Sequence, residues 1–425
     1  MIYRFSPKIT LSKPVLLAKV REMNWTGFYQ ICICGAFCLA GIRGETWMQN
    51  GENNYPRQKA KGVENSFSRM GRFLSLFTFV QFDNQACTGS NGENGTCVSQ
   101  TDCQRKGGTS IGNCASGYGV CCSMTVKCGG IVRENGTFFV NEGYPDSYNG
   151  VGSCQVTLMK INPIVCQFRL DFDVMNIMGP ETINHICIND QFIVSGGNPS
   201  APAICGRNDG NHLYIAVEKG PSASPVSLNV VTTGDSFQRS WKIRITQIPC
   251  SSEVKAENGC LQYFTGVSGQ IKSFNYDLTT GRQLSNQDYT ICVRAERNFC
   301  GIQYTQCVDN VNTRYQSFTL SGNSNQAVPS MVGSTGNTNF CPNDYLIIPM
   351  ATNVDRVVQS RSPTVDRICG GTFSADVTQT PTTVLSTVRP FLLFFHTDST
   401  ENPMDQENKG FCLNYVQQPC TNRLQ

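Results

Sequence analysis

Hydrophobic positions recur at every second residue through much of the chain. Leu213, Ile215 and Val217 fall on one side of an extended segment, as do Trp241, Ile243 and Ile245, and again Phe391, Leu393 and Phe395. Clusters of Gly, Asn, Pro and Ser separate these runs. That pattern predicts short strands with one face buried, stacked as a sandwich. No stretch from residue 128 onward keeps a helical period. The run Phe391-Leu392-Leu393-Phe394-Phe395 reads as a core strand.

The same stretch contains a repeat. One copy runs from Cys128 to Gln247-Ile248-Pro249-Cys250, the other from Cys260 to Gln417-Gln418-Pro419-Cys420. Each has an early cysteine pair, Cys128/Cys154 and Cys260/Cys292. Each then has Cys-x-x-Asp (Cys187 to Asp190, Cys341 to Asp344), Cys-Gly (Cys205-Gly206, Cys369-Gly370) and a late aspartate, Asp235 or Asp398. Five landmarks in one order point to duplication. In front lies a compact module, residues 87–122, with Cys87, Cys97, Cys103, Cys114, Cys121 and Cys122 among Gly, Ser, Asn and Thr. So short a segment buries little core, so three disulfides are expected to stabilise it. Six cysteines allow 15 connectivities, and the sequence does not choose; adjacent Cys121 and Cys122 are expected to take different partners.

Composition sets the compartment. The 425 residues allow two or three domains. The net charge of +3 gives no reason to expect nucleic acid as a partner. There are 23 cysteines, too many for a chain kept reduced. Three of them (Cys32, Cys34, Cys38) sit in an apolar stretch, Phe28 to Ala40, that follows Met23. Residues 23–40 read as a signal peptide with cleavage after Ala40, and residues 1–22 as an upstream extension. The alternative of a membrane anchor needs a longer apolar run, and no later segment supplies one. Residues 41–86 read as linker or pro-segment, and Arg69-Met70-Gly71-Arg72 has the spacing of a convertase site.

The landmarks resemble the CUB domain, an extracellular β-sandwich. The first copy offers Cys128-Gly129-Gly130, Gly143-Tyr144-Pro145-Asp146-Ser147-Tyr148, Cys154, Cys187-x-x-Asp190 and Cys205-Gly206. The second is longer and keeps Asp344, Cys369-Gly370 and Gly410-Phe411 in order. The 87–122 module resembles a clip-type module, and the whole resembles secreted arthropod proteins that place such a module before CUB domains. The resemblance implies an all-β chain with two tandem sandwiches over 128–250 and 260–420. It implies the bridges Cys128–Cys154, Cys187–Cys205, Cys260–Cys292 and Cys341–Cys369. Position within the repeats pairs Cys166 with Cys250 and Cys300 with Cys420, leaving Cys307 with Cys412.

Many CUB domains bind Ca²⁺ through a Glu and two Asp, and Ca²⁺ takes six to eight oxygens. Here Asp190 with Asp235, and Asp344 with Asp398, are present, but Met178 and Ser321 stand at the Glu position. The expectation is a weak calcium site at best, with the aspartates serving as loop caps. Asn94-Gly95-Thr96 and Asn135-Gly136-Thr137 are N-glycosylation acceptors. Catalytic signals are poor. Gly234-Asp235-Ser236 resembles a serine-protease nucleophile loop, but Phe237 crowds the oxyanion position. His185, His212 and His396 lie in no catalytic motif. The expected role is that of a secreted monomeric adaptor that binds an extracellular protein or glycan. The alternatives are a non-catalytic component of a protease system, separable by association with a protease, and a structural matrix protein, separable by insolubility. Tyr144 and Tyr148 are candidates for partner contact or for packing.

Overall fold

The computed structural model describes Phe82 and residues 85–420, apart from 221–223, 311–315, 323–327, 335–339, 355–364 and 404. The expected signal segment 23–40, most of the expected linker 41–86, Arg69–Arg72 and Cys32, Cys34 and Cys38 lie outside the described residues. Among those described, no helix is long and apolar enough to cross a membrane.

The protein is nearly all β. The cysteine module is a four-stranded antiparallel sheet in the order Ala86–Thr88, Asn94–Val98, Gly119–Ser123, Thr109–Cys114. Its disulfides are Cys87–Cys121, Cys97–Cys114 and Cys103–Cys122, so the adjacent cysteines do go to different partners. It also holds a helix, Gln100–Arg105, that alternation did not predict. Its signal is Ser99-Gln100-Thr101-Asp102: the Ser99 hydroxyl accepts from the Asp102 N–H at 3.0 Å, a side-chain N-cap.

The first repeat copy forms two sheets. One runs Asp190–Ser195, Val226–Thr232, Gly152–Leu158, Ile131–Val132. The other runs His212–Ala216, Val165–Asn176, Ser240–Pro249, Thr137–Val140, Thr125–Val126. Alternation decides which face goes inward: Trp241, Ile243 and Ile245 are fully buried together with Phe139, Phe168 and Phe172. Phe172 meets Phe192 of the opposite sheet edge-on at 5.4 Å. The second copy forms one hydrogen-bonded path that turns over on itself. Residues Tyr345 to Ile347 of the strand Tyr345–Asn353 pair with Phe391–His396, while Thr352 and Asn353 pair with Val384–Ser386 after a register shift. Phe391, Leu393 and Phe395 face the core, whereas Leu392 and Phe394 are half-buried on the outer face.

Each copy carries three matched disulfides. The first has Cys128–Cys154, Cys187–Cys205 and Cys166–Cys250; the second has Cys260–Cys292, Cys341–Cys369 and Cys300–Cys420, with Cys307–Cys412 added. A disulfide in a small extracellular domain typically contributes about 2–5 kcal/mol, so these bridges matter to loops that little core supports.

Three joints hold these parts together. The module covers the outer face of the first sandwich. Lys242, which alternation aims at solvent, is 3% exposed there and lies 3.2 Å from Glu93 and over the Phe138 ring at 4.6 Å. The segment between the two sandwiches, residues 251–259, is clamped by Gln167, whose amide donates to the Ala256 carbonyl and accepts from the Ala256 N–H, both at 2.9 Å. The two sandwiches then meet directly. The Tyr263 N–H donates to His212 Nε2 at 3.1 Å, and the Asn275 N–H donates to the Asn208 side chain at 2.7 Å. Buried residues of both sandwiches form one continuous core. Tyr214 explains why its strand is buried on both faces: it packs edge-on to Tyr263 across the seam at 5.8 Å.

Candidate functional site

The paired aspartates lie at loop ends, but the two copies treat them differently. In the first sandwich Asp190 opens its strand and is fully buried. Its carboxylate accepts from Arg239 Nε at 2.6 Å and Nη2 at 3.0 Å, from the Met178 N–H at 2.7 Å and from the Thr233 N–H at 3.2 Å. Arg239 is itself 0% exposed and also donates to the carbonyls of Thr233, Asp235 and Phe237. Asp235 is exposed and offers its backbone carbonyl to the guanidinium. The oxygens that would suit a cation already surround one, and it is covalently part of the chain. A calcium ion would have to displace Arg239, so Asp190 and Asp235 do not fit the metal. The Met178 backbone meets Asp190 where the expected Glu ligand would stand, and donates an N–H.

In the second sandwich Asp344 is 5% exposed, and among the described residues no arginine pairs with it in this way. Its carboxylate accepts from the Asp398 N–H at 2.9 Å. Burial, with Glu401 nearby, pushes its pKa up to about 8. Asp398 binds its own loop, its carboxylate accepting from the Thr400 N–H at 2.9 Å. Ser321, at the other expected Glu position, accepts from the Gly370 N–H at 2.9 Å. Sequence reasoning missed the acid that does approach, Glu401, because it lies three residues beyond the late aspartate and has no counterpart in the first copy. Among the described residues, no group of three or more His, Cys, Asp or Glu is arranged to hold a metal ion.

Asp344 makes a pH prediction. The folded chain keeps a proton that the unfolded chain has released between about pH 4 and about pH 8. The contribution is therefore favourable at low pH and is lost as pH rises through that window. Burial raises Glu401 and Asp405 in the same direction. Asp344→Asn should flatten this slope and stabilise the protein at about pH 8.5 relative to wild type. Urea midpoints for both proteins at about pH 5 and about pH 8.5 check it. His212 works against the trend: burial lowers it to about 4, so its contribution is lost as pH falls from about 6.5 toward 4. It is common to both proteins and cancels in the difference.

The histidines serve the seam or a sheet face. His185, fully buried, contacts the Gln406 carbonyl at 2.7 Å and stands 3.4 Å from Glu401. His396 stacks on Tyr345 at 4.9 Å, 3.7 Å from Asp288. Ser236 donates to the Asn149 side chain at 3.0 Å. Among the described residues, no histidine hydrogen-bonds a serine, threonine or cysteine side chain. Tyr144 and Tyr148 both pack. The Tyr144 hydroxyl donates to Glu93 of the module at 3.1 Å, and burial beside Glu93 pushes it up to about 12. Tyr148 meets Trp241 edge-on at 6.0 Å.

Disulfides Cys187–Cys205 and Cys341–Cys369 frame the loops, and Asp190 and Asp344 are buried at their ends. Residues 257–418 match the animal CUB domain. The match covers the second sandwich. The first shares its early and middle disulfide positions and its Cys-Gly turn. No curated protein matches the chain. Among solved structures, the CUB1-EGF-CUB2 domains of rat MASP-1 are 14% identical, covering 69% of this chain and 99% of that one, with a TM-score of 0.23. The CUB1-EGF-CUB2 domain of human MASP-1/3 is 15% identical, covering 66% and 98%, with a TM-score of 0.21. The full extracellular region of zebrafish Gpr126/Adgrg6 is 11% identical, with 71% of this chain and 37% of that one covered and a TM-score of 0.24. Superpositions this low assign no residue and no partner to this protein.

Proposed function

We propose that this protein is a secreted, non-catalytic adaptor that binds an extracellular protein or glycan through the loops of two CUB-like sandwiches. Its organisation would be a signal segment over 23–40, a clip-like cysteine module over 87–122 and sandwiches over 128–250 and 260–420. The observation that carries the reading is the CUB match over 257–418 set within a frame of ten disulfides. CUB domains commonly mediate extracellular protein binding. Loops ordered in advance lose less entropy when a partner docks, which is what such stapling supplies.

The aspartates act in this reading as loop caps, with Arg239 as the internal cation of the first sandwich. The protein works as a monomer and takes no part in nucleic-acid binding. Expression in a secretory host followed by alkylation without reductant tests the compartment. The expected result is a soluble monomer in the medium with no cysteine from Cys87 to Cys420 labelled. Labelling at Cys166 or Cys307 in the native protein would contradict it, and an insoluble self-associated product would favour the matrix alternative.

A further inference from the structure

We propose that an N-linked glycan on Asn94 seats its first sugar in the cleft between the cysteine module and the first sandwich, and so fastens the two together. The inference rests on the extracellular reading above.

The cleft measures about 440 Å³, within the roughly 300–1,000 Å³ of small-ligand clefts. Its floor is the outer face of the sheet formed by Val165–Asn176 and Ser240–Pro249. Ala86 and Asn94 of the module form one wall and Val254 of the segment between the sandwiches another. Asn94 is the acceptor of Asn94-Gly95-Thr96, and its side chain is exposed at the cleft wall. One hydrogen of its amide donates to Asp173 at 3.0 Å. Glycosylation replaces the other hydrogen and leaves that bond in place. Asn94 itself lines the cleft, so the attached sugar starts at the cleft wall.

The cleft offers what a sugar needs. Asp171 and Asp173 are acceptors for hydroxyls. Arg244 is the donor without an occupation: it is half-buried, makes no ion pair among the described residues, and its Nε–H has no partner. Its guanidinium reaches the Thr96 hydroxyl only in a long contact of 3.4 Å among the described residues. Neighbouring Arg169, by contrast, is engaged by Asp171 at 2.7 Å and by the Tyr214 hydroxyl at 2.8 Å. A buried donor left unbonded is costly, and a sugar oxygen would satisfy it. Val254, 52% exposed, and Ile248 give the C–H face of a pyranose an apolar contact. The second acceptor, Asn135, has no such seat. Its carbonyl oxygen accepts from the Gln247 N–H at 2.7 Å, and it lines no cleft among those described.

The test uses the full chain secreted from a glycosylating host, with peptide mass spectrometry at Asn94 and Asn135 and an amidase that removes N-glycans. The expected result is an occupied Asn94 whose glycan leaves the native protein at least about tenfold more slowly than the denatured chain, a difference equal to roughly 1.4 kcal/mol of docking. Arg244→Gln should restore most of that rate, because it removes the donor while leaving the acceptor sequence intact. An unoccupied Asn94 in a chain glycosylated at Asn135 overturns the inference and leaves the extracellular reading standing. So does a glycan released equally fast from native and denatured protein, or a protected glycan whose release Arg244→Gln does not change. A chain that is never exported fails the extracellular reading itself.

Discussion

Replacing Arg239 with methionine is expected to destabilise the first sandwich by about 3–5 kcal/mol. Asp190 and Arg239 are both fully buried, and the guanidinium supplies two of the four hydrogen bonds to the carboxylate. Without it, Asp190 is a buried carboxylate facing the carbonyls of Thr233, Asp235 and Phe237, all negative ends of dipoles. It must then take up a proton or admit water. The double variant Asp190→Asn with Arg239→Met removes the stranded charge and should recover a good part of the loss, because removing both ions is cheaper than removing one. Chemical denaturation of the wild type, both single variants and the double variant gives the coupling directly. A loss below about 1 kcal/mol for Arg239→Met would place this pair with ordinary surface ion pairs and would remove the internal-cation reading.

The second large effect is expected at Gly206→Val. Gly206 has φ +76°, a conformation that suits glycine, and a Cβ placed there would stand 2.0 Å from the Asn275 side-chain oxygen of the other sandwich. That oxygen accepts from the Arg207 N–H at 3.0 Å, so the substitution strains the turn and breaks the seam together. A loss of at least about 2 kcal/mol is expected, with one unfolding transition dividing into two as the sandwiches uncouple. Gly210→Val is the matched control. Its φ is +78° and nothing lies within 4 Å of its Cβ position, so it carries backbone strain without collision. Scanning calorimetry of both variants separates the two terms. Equal losses, each with a single transition, would mean that the seam contributes nothing.

These two residues show how much could be read in advance. Gly206 stood in the sequence as half of a Cys-Gly landmark, and its partner Gly370 in the second copy has φ +87° with a Cβ position 2.3 Å from the Pro329 carbonyl. The repeat was therefore visible because each copy needs glycine at the same tight turn. The strands were visible for a similar reason: a buried face imposes alternation, and Trp241, Ile243 and Ile245 obey it. Arg239 was not visible. It lies 49 positions from Asp190 and precedes an apolar strand, where an arginine reads as a solvated end. The joints were hidden for a related reason. Lys242, Gln167 and His212 alternate with core residues and so read as outer-face positions, and each is buried because another part of the chain covers it. Period-two patterning reports a strand's two faces, not what is packed on the outer one. The Asp344 environment follows the same rule, since Glu401 reaches it from a loop with no match in the first copy.

The central claim is that the protein binds, and that its loops do so without a metal. The most direct measurement is capture from extracellular fluid by the immobilised secreted chain, in parallel with and without a calcium chelator. The expected result is one specific protein or glycan-bearing partner, retained equally in both arms. No specific partner in either arm would contradict the binding claim. A partner lost on chelation would contradict the assignment of Asp344 and Asp398 to loop structure, and would place calcium in the second sandwich.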